Sequence, residues 1–481
     1  MQYEETLLIQ QSKPGCTAFD FKLTEIPEIK PDFPIPEHLL RKIPPKLPEV
    51  SEPVLFRHFI RLSQQNYALD TNIYPLGSCT MKYNPRLNEY LANIEHFKNL
   101  HPLLDTDYCT SALKIMTGLQ KFLCEISGLH ACTLQPAAGA HGELTALLIL
   151  RKYLQKNAPH KDTIIIPDSA HGTNPASAAM AGFKIKKCDS DENGLLTPEA
   201  VKKQIDENTA GIMITNPNTL GIFEPEIRKI ADLIHENGAY LYLDGANMNA
   251  IQGIVKPADM GVDLMHFNLH KTFATPHGGG GPGAGPVCVT ERFTPYLPNP
   301  QIRLVDGQPQ RFDSPDSIGK MRAFNANFLV ALRAYATILA LGKQNIPKAA
   351  QLAVLNANYI FHRLKDIYQP AHTLKHCLHE AVFSDRTFKI KAKTAEIAKR
   401  LIDFQIHPPT CYFPINVPGA MMIEPTETEP IESLDNFIET MRTIFDEINS
   451  DPTILQNAPT NAFRKKIDEL TPARNPVLKH S

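Results

Sequence analysis

No run of 18 consecutive apolar residues occurs in the chain, which excludes a membrane-spanning helix. The amino terminus, with Glu4 and Glu5 beside a short apolar patch, lacks the basic region and apolar core of a secretory leader. Charge imbalance is missing too: 49 basic against 51 acidic side chains leave a formal charge of −2, too weak a field to argue for nucleic acid or an anionic membrane as partner. The nine cysteines form no CxxC pair, and a chain this long needs no disulfide staples, so reduced thiols in a cytoplasmic protein are expected. No Gly-Lys-Ser/Thr follows the glycine-rich run from His277 to Gly285, and neither GxSxG nor HExxH is present. Those absences remove the nucleotide phosphate loop, the hydrolase elbow and the helical zinc motif. Small-molecule and protein partners remain.

At 481 residues, 43% of them hydrophobic, the chain exceeds what one core supports, so two or more packed units are expected. Between Pro27 and Pro53 stand eight prolines, which predict an extended arm rather than helix or central strand, with Phe19, Phe21, Phe33, Leu39 and Leu40 as its apolar anchors. A helix over Pro53 to Gln65 and a compact segment from Tyr74 to Pro85 follow. From about residue 110 to 290 short apolar runs alternate with helical stretches. Strands are predicted at 132–134, 163–166, 184–188, 211–215, 240–243, 264–268 and 285–289, with helices at 142–154, 198–207 and 225–237, the last closed by Gly238. Strands separated by helices specify an α/β fold with a mostly parallel seven-stranded sheet, helices on both faces and ligands at the carboxyl ends of the strands. Beyond residue 320, a long apolar helix over 324–341 leads into a mixed region with strands at 411–417 and 420–424. The expected division is an N-terminal arm with helices over 1–105, a large domain over 106–325, a smaller α+β domain over 326–460 and a tail over 461–481.

Chemistry concentrates at the predicted strand ends. Asp244 closes one strand in Leu243-Asp-Gly-Ala-Asn247, and Lys271 closes another in His270-Lys-Thr272. Alone, the first reads as a helix cap and the second as a surface amine. Together they are what a pyridoxal phosphate site needs: a lysine amine that condenses with the aldehyde, and a carboxylate that keeps the pyridine nitrogen protonated. The phosphate needs an anion cradle, which Gln135-Pro-Ala-Ala-Gly-Ala-His-Gly-Glu143 offers as a small-residue turn opening a helix, with Ala138, Gly139 and Ala140 presenting backbone N–H groups. His171, in Asp168-Ser-Ala-His-Gly-Thr-Asn174, is placed to stack on the pyridine face opposite Lys271. Asn216 and Thr219 end the next strand and could meet the ring hydroxyl or substrate. His277 to Gly285 lets backbone pass close to a ligand or a neighbouring chain. No metal is expected: His266 and His270 lie in a strand-like run, and His372, His376, Cys377, His379 and Glu380 match no familiar zinc spacing.

These motifs resemble the P proteins of the glycine cleavage system, glycine dehydrogenase (decarboxylating), in the second subunit of their two-chain form. The similar segments are Tyr74 to Lys82, Gln135 to Glu143, Ser169 to Ser177, Leu243 to Ala250, Asn268 to Gly285, His407 to Pro414 and Met422 to Glu429. They run in order over most of the chain, with Ala274 and Cys411 as local departures. The resemblance implies the fold type I (aspartate aminotransferase-like) architecture of pyridoxal phosphate-dependent transferases. It implies glycine as substrate, a companion subunit 1 of similar fold without the lysine, and the lipoylated H protein as second substrate. Lys271, Asp244 and His171 are then the catalytic residues, and Ala138, Gly139, Ala140, Thr219 and His270 join them in holding the cofactor. Thr80, Asn325 and Glu424 are further candidates for a substrate or interface role.

Overall fold

The structure, a computed structural model, describes residues 5–17, 35–43, 45–101, 104–277, 283–386 and 392–478. Phe19, Phe21 and Phe33 of the expected arm and residues 278–282 of the glycine run lie outside the described residues. The chain divides into two compact units, residues 69–460 and residues 1–68 with 461–481. In the smaller unit, α1 (Glu52–Ser63) starts at an extended Ser51 and places Pro53 in its first turn, where the missing N–H costs nothing. Glu5 accepts from Arg61 Nε at 2.5 Å and from His58 Nδ1 at 2.8 Å, and the Arg61 hydrogen bond leads the contacts that draw its carboxyl down to about 2. Leu39 and Leu40 are exposed.

The larger unit opens with three helices, α2 (Arg86–Ala92), α3 (Glu95–Lys98) and α4 (Thr106–Ser127). There follow β1 (Ala131–Thr133), α5 (Gly139–Asn157), β2 (Thr163–Pro167), α6 (Thr173–Met180), β3 (Lys184–Cys188), α7 (Pro198–Lys202), β4 (Thr209–Thr215), α8 (Ile227–Glu236), β5 (Tyr240–Gly245), β6 (Leu264–Phe267), the single turn α9 (Leu269–Thr272) and β7 (Val287–Val289). The seven strands form one sheet in the order β1-β7-β6-β5-β4-β2-β3. Every neighbouring pair is parallel except those made by β7, which runs against both β1 and β6. The alternation expected from the sequence is therefore present from β1 to β5, and the reversed strand, β7, comes after the single helical turn α9. β4 and β5 are buried along their whole length, as strands covered on both faces must be.

A ribbon, β8 (Gln301–Val305) with β9 (Gln308–Phe312), precedes the long helix α10 (Phe328–Leu364). The sequence predicts that helix to stop at Leu341. It is interrupted at Gly342, whose φ is 66°, and then continues. The second sheet comprises β10 (Gln369–Pro370), β11 (Ala381–Ser384), β12 (Thr410–Cys411) and β13 (Ala420–Ile423), in the order β10-β11-β13-β12 and wholly antiparallel, with α11 (Thr394–Asp403) and α12 (Ile431–Ser450) beside it. The strand expected over 411–417 is cut short because Tyr412 takes a left-handed φ of 58°. Among the described residues, no helix is long and apolar enough to cross a membrane.

Candidate active site

The carboxyl ends of β4, β5 and β6 make the floor of the site. Their parallel registers set Thr215 beside Asp244, and Asp244 beside His266. Asp244 is 3% exposed. Its Oδ2 accepts from Asn174 Nδ2 at 3.0 Å and its Oδ1 from the Ala246 N–H at 2.9 Å. Burial alone would raise its proton affinity, but the His266 ring, those two donors and the Lys271 ammonium outweigh burial and hold the carboxyl below its ordinary value. Behind it, Tyr242 O–H and His266 Nδ1 are 2.5 Å apart, and His266 Nε2 faces Asp244 Oδ1 at 3.5 Å. Burial, reinforced by the charges of Asp244 and Glu143, keeps the phenol protonated.

Lys271 lies in the turn that ends β6. Its amine acts electrostatically on Asp244 and also on Cys79, His270, His277, His379, Glu380 and Glu424. His270 and His277 stand edge to face at 5.0 Å. Burial, then neighbouring positive charge, presses them down to about 3 and about 4, so both are neutral rings.

The cradle segment enters α5 through Ala138, an extended residue with no side-chain cap. The first bond of the helix runs from Gly142 N–H to Ala138 C=O at 2.9 Å, so the N–H groups of Gly139, Ala140 and His141 precede it and point out of the positive end of the helix. The backbone is crowded here. A Cβ on Gly139 would lie 2.4 Å from Asn268 Oδ1, and one on Gly285 would lie 2.0 Å from the Ala138 carbonyl oxygen. Gly285 N–H is tied to Pro136 C=O at 3.0 Å, and Leu269 N–H to Ala284 C=O at 3.1 Å. The strand after the glycine run thus laces the cradle to the lysine turn.

His171 is exposed, takes the Thr173 N–H on Nδ1 at 3.2 Å and meets the Phe413 ring edge-on at 5.5 Å. Thr173 Oγ1 gives its proton to Glu143 at 2.7 Å, and Ser177 Oγ binds the other oxygen of Glu143 at 3.2 Å. Thr219 O–H donates to Ser169 C=O at 2.7 Å, while Asn216 Oδ1 accepts the Glu224 N–H at 3.0 Å, so both hold the strand-end loops. Thr80 and Glu424, far apart in sequence, are bonded: the Thr80 hydroxyl donates to Glu424 Oε1 at 2.5 Å. Asn325 lies apart from them, beside a cavity of about 340 Å³ lined by Gln120, Cys124 and Cys132.

Asn174, Glu143, Tyr242 and His266 carry the buried bonds around Asp244 and His171; the motifs assign this role to none of them, and His266 enters the sequence reading only beside His270, as a metal candidate set aside. His266 alone left a signal, as a polar residue inside an apolar strand. His372 stacks on Phe361 and His376 bonds His362 at 3.1 Å, so these two histidines do not join His379 and Glu380 in one cluster.

The donor set suits pyridoxal phosphate. A buried carboxylate closes one end of the floor, an amine stands on the next strand end, and the helix N–H groups that precede the first helical bond open beside Gly139, packed close to Asn268.

Known proteins resemble the chain at two levels. Residues 349–465 match the family described as glycine dehydrogenase, C-terminal domain, and residues 141–281 match aminotransferase class-V. The probable glycine dehydrogenase (decarboxylating) subunit 2 of Kosmotoga olearia is 49% identical over 477 residues, covering 98% of each chain. That of Thermotoga maritima is 46% identical over 475 residues, 98% of this chain and 99% of its own. Among solved structures, a glycine decarboxylase (P-protein) of the glycine cleavage system superposes with a TM-score of 0.71 at 18% identity, over 85% of this chain and 93% of its own. A NifS-like protein superposes at 0.61 with 16% identity, over 78% and 100%. These two structures speak to the fold: it is the pyridoxal phosphate-dependent transferase architecture.

Proposed function

The chain belongs to the glycine dehydrogenase (decarboxylating) subunit 2 family, and from that membership we propose that Lys271, Asp244 and His171 carry out the decarboxylation of glycine on pyridoxal phosphate. The single observation that carries the residue assignment is that Asp244 and the turn holding Lys271 end adjacent parallel strands, beside the open amino end of α5. When bound, the cofactor supplies an electron sink that accepts the pair left on the glycine carbon as carbon dioxide departs.

The protein's part is binding, orientation and proton placement. Lys271 would hold the cofactor between turnovers. Asp244, kept ionised by His266, Asn174, Ala246 and Lys271, would hold a proton on the ring nitrogen, and His171 would pack against the ring. Gly139, Ala140 and His141 N–H groups bind the phosphate, with Ala138 setting the turn. Thr219 fixes the wall of the site through Ser169, and neutral His270 lines it beside Lys271 without adding a competing charge.

The relatives' names designate a second subunit, so a companion subunit 1 belongs to the assembly. We assign the aminomethyl product to the lipoyl group of the H protein, and the whole to the cytoplasm. The test is Lys271→Ala. The variant should lose both the visible absorbance of bound cofactor and glycine-dependent exchange of carbon dioxide, assayed with and without companion subunit and carrier; retention of both would refute the assignment.

A further inference from the structure

The register of the second sheet pairs Ala381 with Ile423, and one step further along the two strands it brings Glu380 opposite Glu424. Like charges directly across an antiparallel pair repel, and here both residues are completely buried, at 0% exposure. The remaining surroundings are built toward them. Ser78 and Thr80 take left-handed φ angles of 63° and 49°, an unfavourable backbone for side-chain-bearing residues. That backbone aims the Ser78 N–H at Glu380 Oε2, 3.0 Å away, and the Thr80 N–H at Glu424 Oε2, 2.9 Å away. Among the described residues, one oxygen of the pair, Glu380 Oε1, has no hydrogen-bond partner, nor does either ring nitrogen of the fully buried His379, whose Nε2 lies 3.9 Å from Glu380.

Charge accounting narrows what the cluster can be. Lys82 approaches from the Tyr74–Pro85 segment, but its three donors are taken by Glu427 at 2.5 Å, Asn249 at 2.7 Å and the Thr272 carbonyl at 3.1 Å. Cys79, from the same segment, is pushed up by burial and stays a thiol. His379, His277 and His270 are pressed down by burial and stay neutral. With Lys82 balanced by Glu427, Lys271, which acts electrostatically on both carboxylates, is the remaining cation toward them among the described residues. A buried cluster of two carboxylates and one ammonium reaches neutrality by holding one more proton, whereas a divalent metal would sit against two lysines.

We propose that Glu380 and Glu424 hold one proton between them and exchange a second with the Lys271 amine, taking it when that amine must be bare to bond to carbon and returning it on release. The inference rests on the role assigned to Lys271 above. In the forward direction an N–H bond of the ammonium breaks and an O–H bond forms on the ionised carboxylate. Both partners become neutral, and the cluster carries no net charge before or after, which a water-poor site favours. Burial raises both carboxyls, Glu424 to about 7, within reach of the working pH, and the charge of Glu424 raises Glu380 further.

Infrared spectroscopy of the cofactor-free chain in heavy water tests the shared proton. The wild type should show a buried carboxylic-acid carbonyl band at pH 6 that fades toward pH 9, and Glu380→Gln or Glu424→Gln should each remove it, since the remaining carboxylate has Lys271 to itself. Capture of added pyridoxal phosphate, followed by visible absorbance, tests the exchange. Either Gln variant should slow capture on the order of 100-fold and move its pH profile upward, with Glu424→Asp restoring part of the rate. A wild-type chain without the band, its carboxylates both ionised or holding a cation, overturns the proposal, as does capture by both Gln variants at the wild-type rate and profile. The band is read without cofactor or glycine. A wild type that shows it but no glycine-dependent exchange counts for the proton pair and against the function proposed above.

Discussion

Asp244 Oδ1 lies 3.5 Å from His266 Nε2, and the far nitrogen of the same imidazole lies 2.5 Å from the Tyr242 hydroxyl. Because the buried phenol keeps its proton, its natural donation is to Nδ1, which leaves the imidazole proton on Nε2, facing the carboxylate. Tyr242→Phe deletes that donor without changing the ring packing. A lost buried hydrogen bond is worth about 1–3 kcal/mol, so glycine-dependent exchange should fall about 5- to 150-fold while the visible absorbance of bound cofactor remains. Unchanged exchange would mean that Asp244 needs no support from the relay.

The lacing between Gly285 and the cradle gives a second expectation. A Cβ at Gly285 would stand 2.0 Å from the Ala138 oxygen and 2.6 Å from its carbonyl carbon. Backbone atoms cannot rotate away, so Gly285→Ala must spread the cradle from β7. A loss of about 1–3 kcal/mol in stability is expected from the overpacking, together with weaker pyridoxal phosphate binding measured by titration. Gly172→Ala has open space around the added carbon and an ordinary φ of −59°, and should melt like the parent. A Gly285→Ala protein that binds cofactor normally would show that the cradle lies elsewhere.

Most of the large sheet was legible because its strands are short apolar runs closed by polar ends. The predicted 184–188 coincides with β3, and 163–166 differs from β2 by one residue. The direction of β7 was not legible. Periodicity reports burial and not direction, and the helical content of the connection does not decide it either: β6 follows β5 through short 3-10 turns and runs parallel to it, whereas β7 follows a single helical turn and runs antiparallel. Helix α10 was cut at Leu341 because Gly342 and the polar residues after it break the apolar period, although packing resumes the helix beyond the kink. Asp244 and Lys271 stood out as a charged pair at strand ends. Glu380 was considered only as a metal ligand, and Glu424 only as a guess, because their pairing depends on the register of a sheet joined across some forty residues.

Lys82 supplies a prediction about stability. It is 3% exposed and its ammonium lies 2.5 Å from Glu427, itself mostly buried. Lys82→Met strands the glutamate without a counter-charge, which for a buried pair costs about 3–5 kcal/mol. Adding Glu427→Gln to the same chain should recover a large part of that loss, because no charge is then left uncompensated. Denaturant unfolding of the two single variants and the double decides it: if the losses simply add, the pair is not coupled.

Acid sensitivity follows from His379. Burial, followed by the charges of Lys271 and Lys82, presses this ring to about 3 from an ordinary 6.5. A base whose folded proton affinity is depressed contributes stability that is complete above the unfolded value and is lost as pH falls toward the folded one, here between about 6.5 and about 3. Its slope is at most one proton, about 1.4 kcal/mol per pH unit. Glu424 works in the opposite sense: its carboxyl is raised to about 7, so between 4.5 and about 7 the folded chain holds a proton the unfolded chain has released, and stability falls as pH rises there. The two slopes partly cancel in the parent, so the informative quantity is a difference between proteins. His379→Phe removes the first slope and leaves the second. Its denaturant midpoint should therefore gain on the parent's as the pH is lowered from 6.5 to 4, by close to one proton's worth of slope, whereas parallel curves would show that the folded protein lets His379 take up a proton.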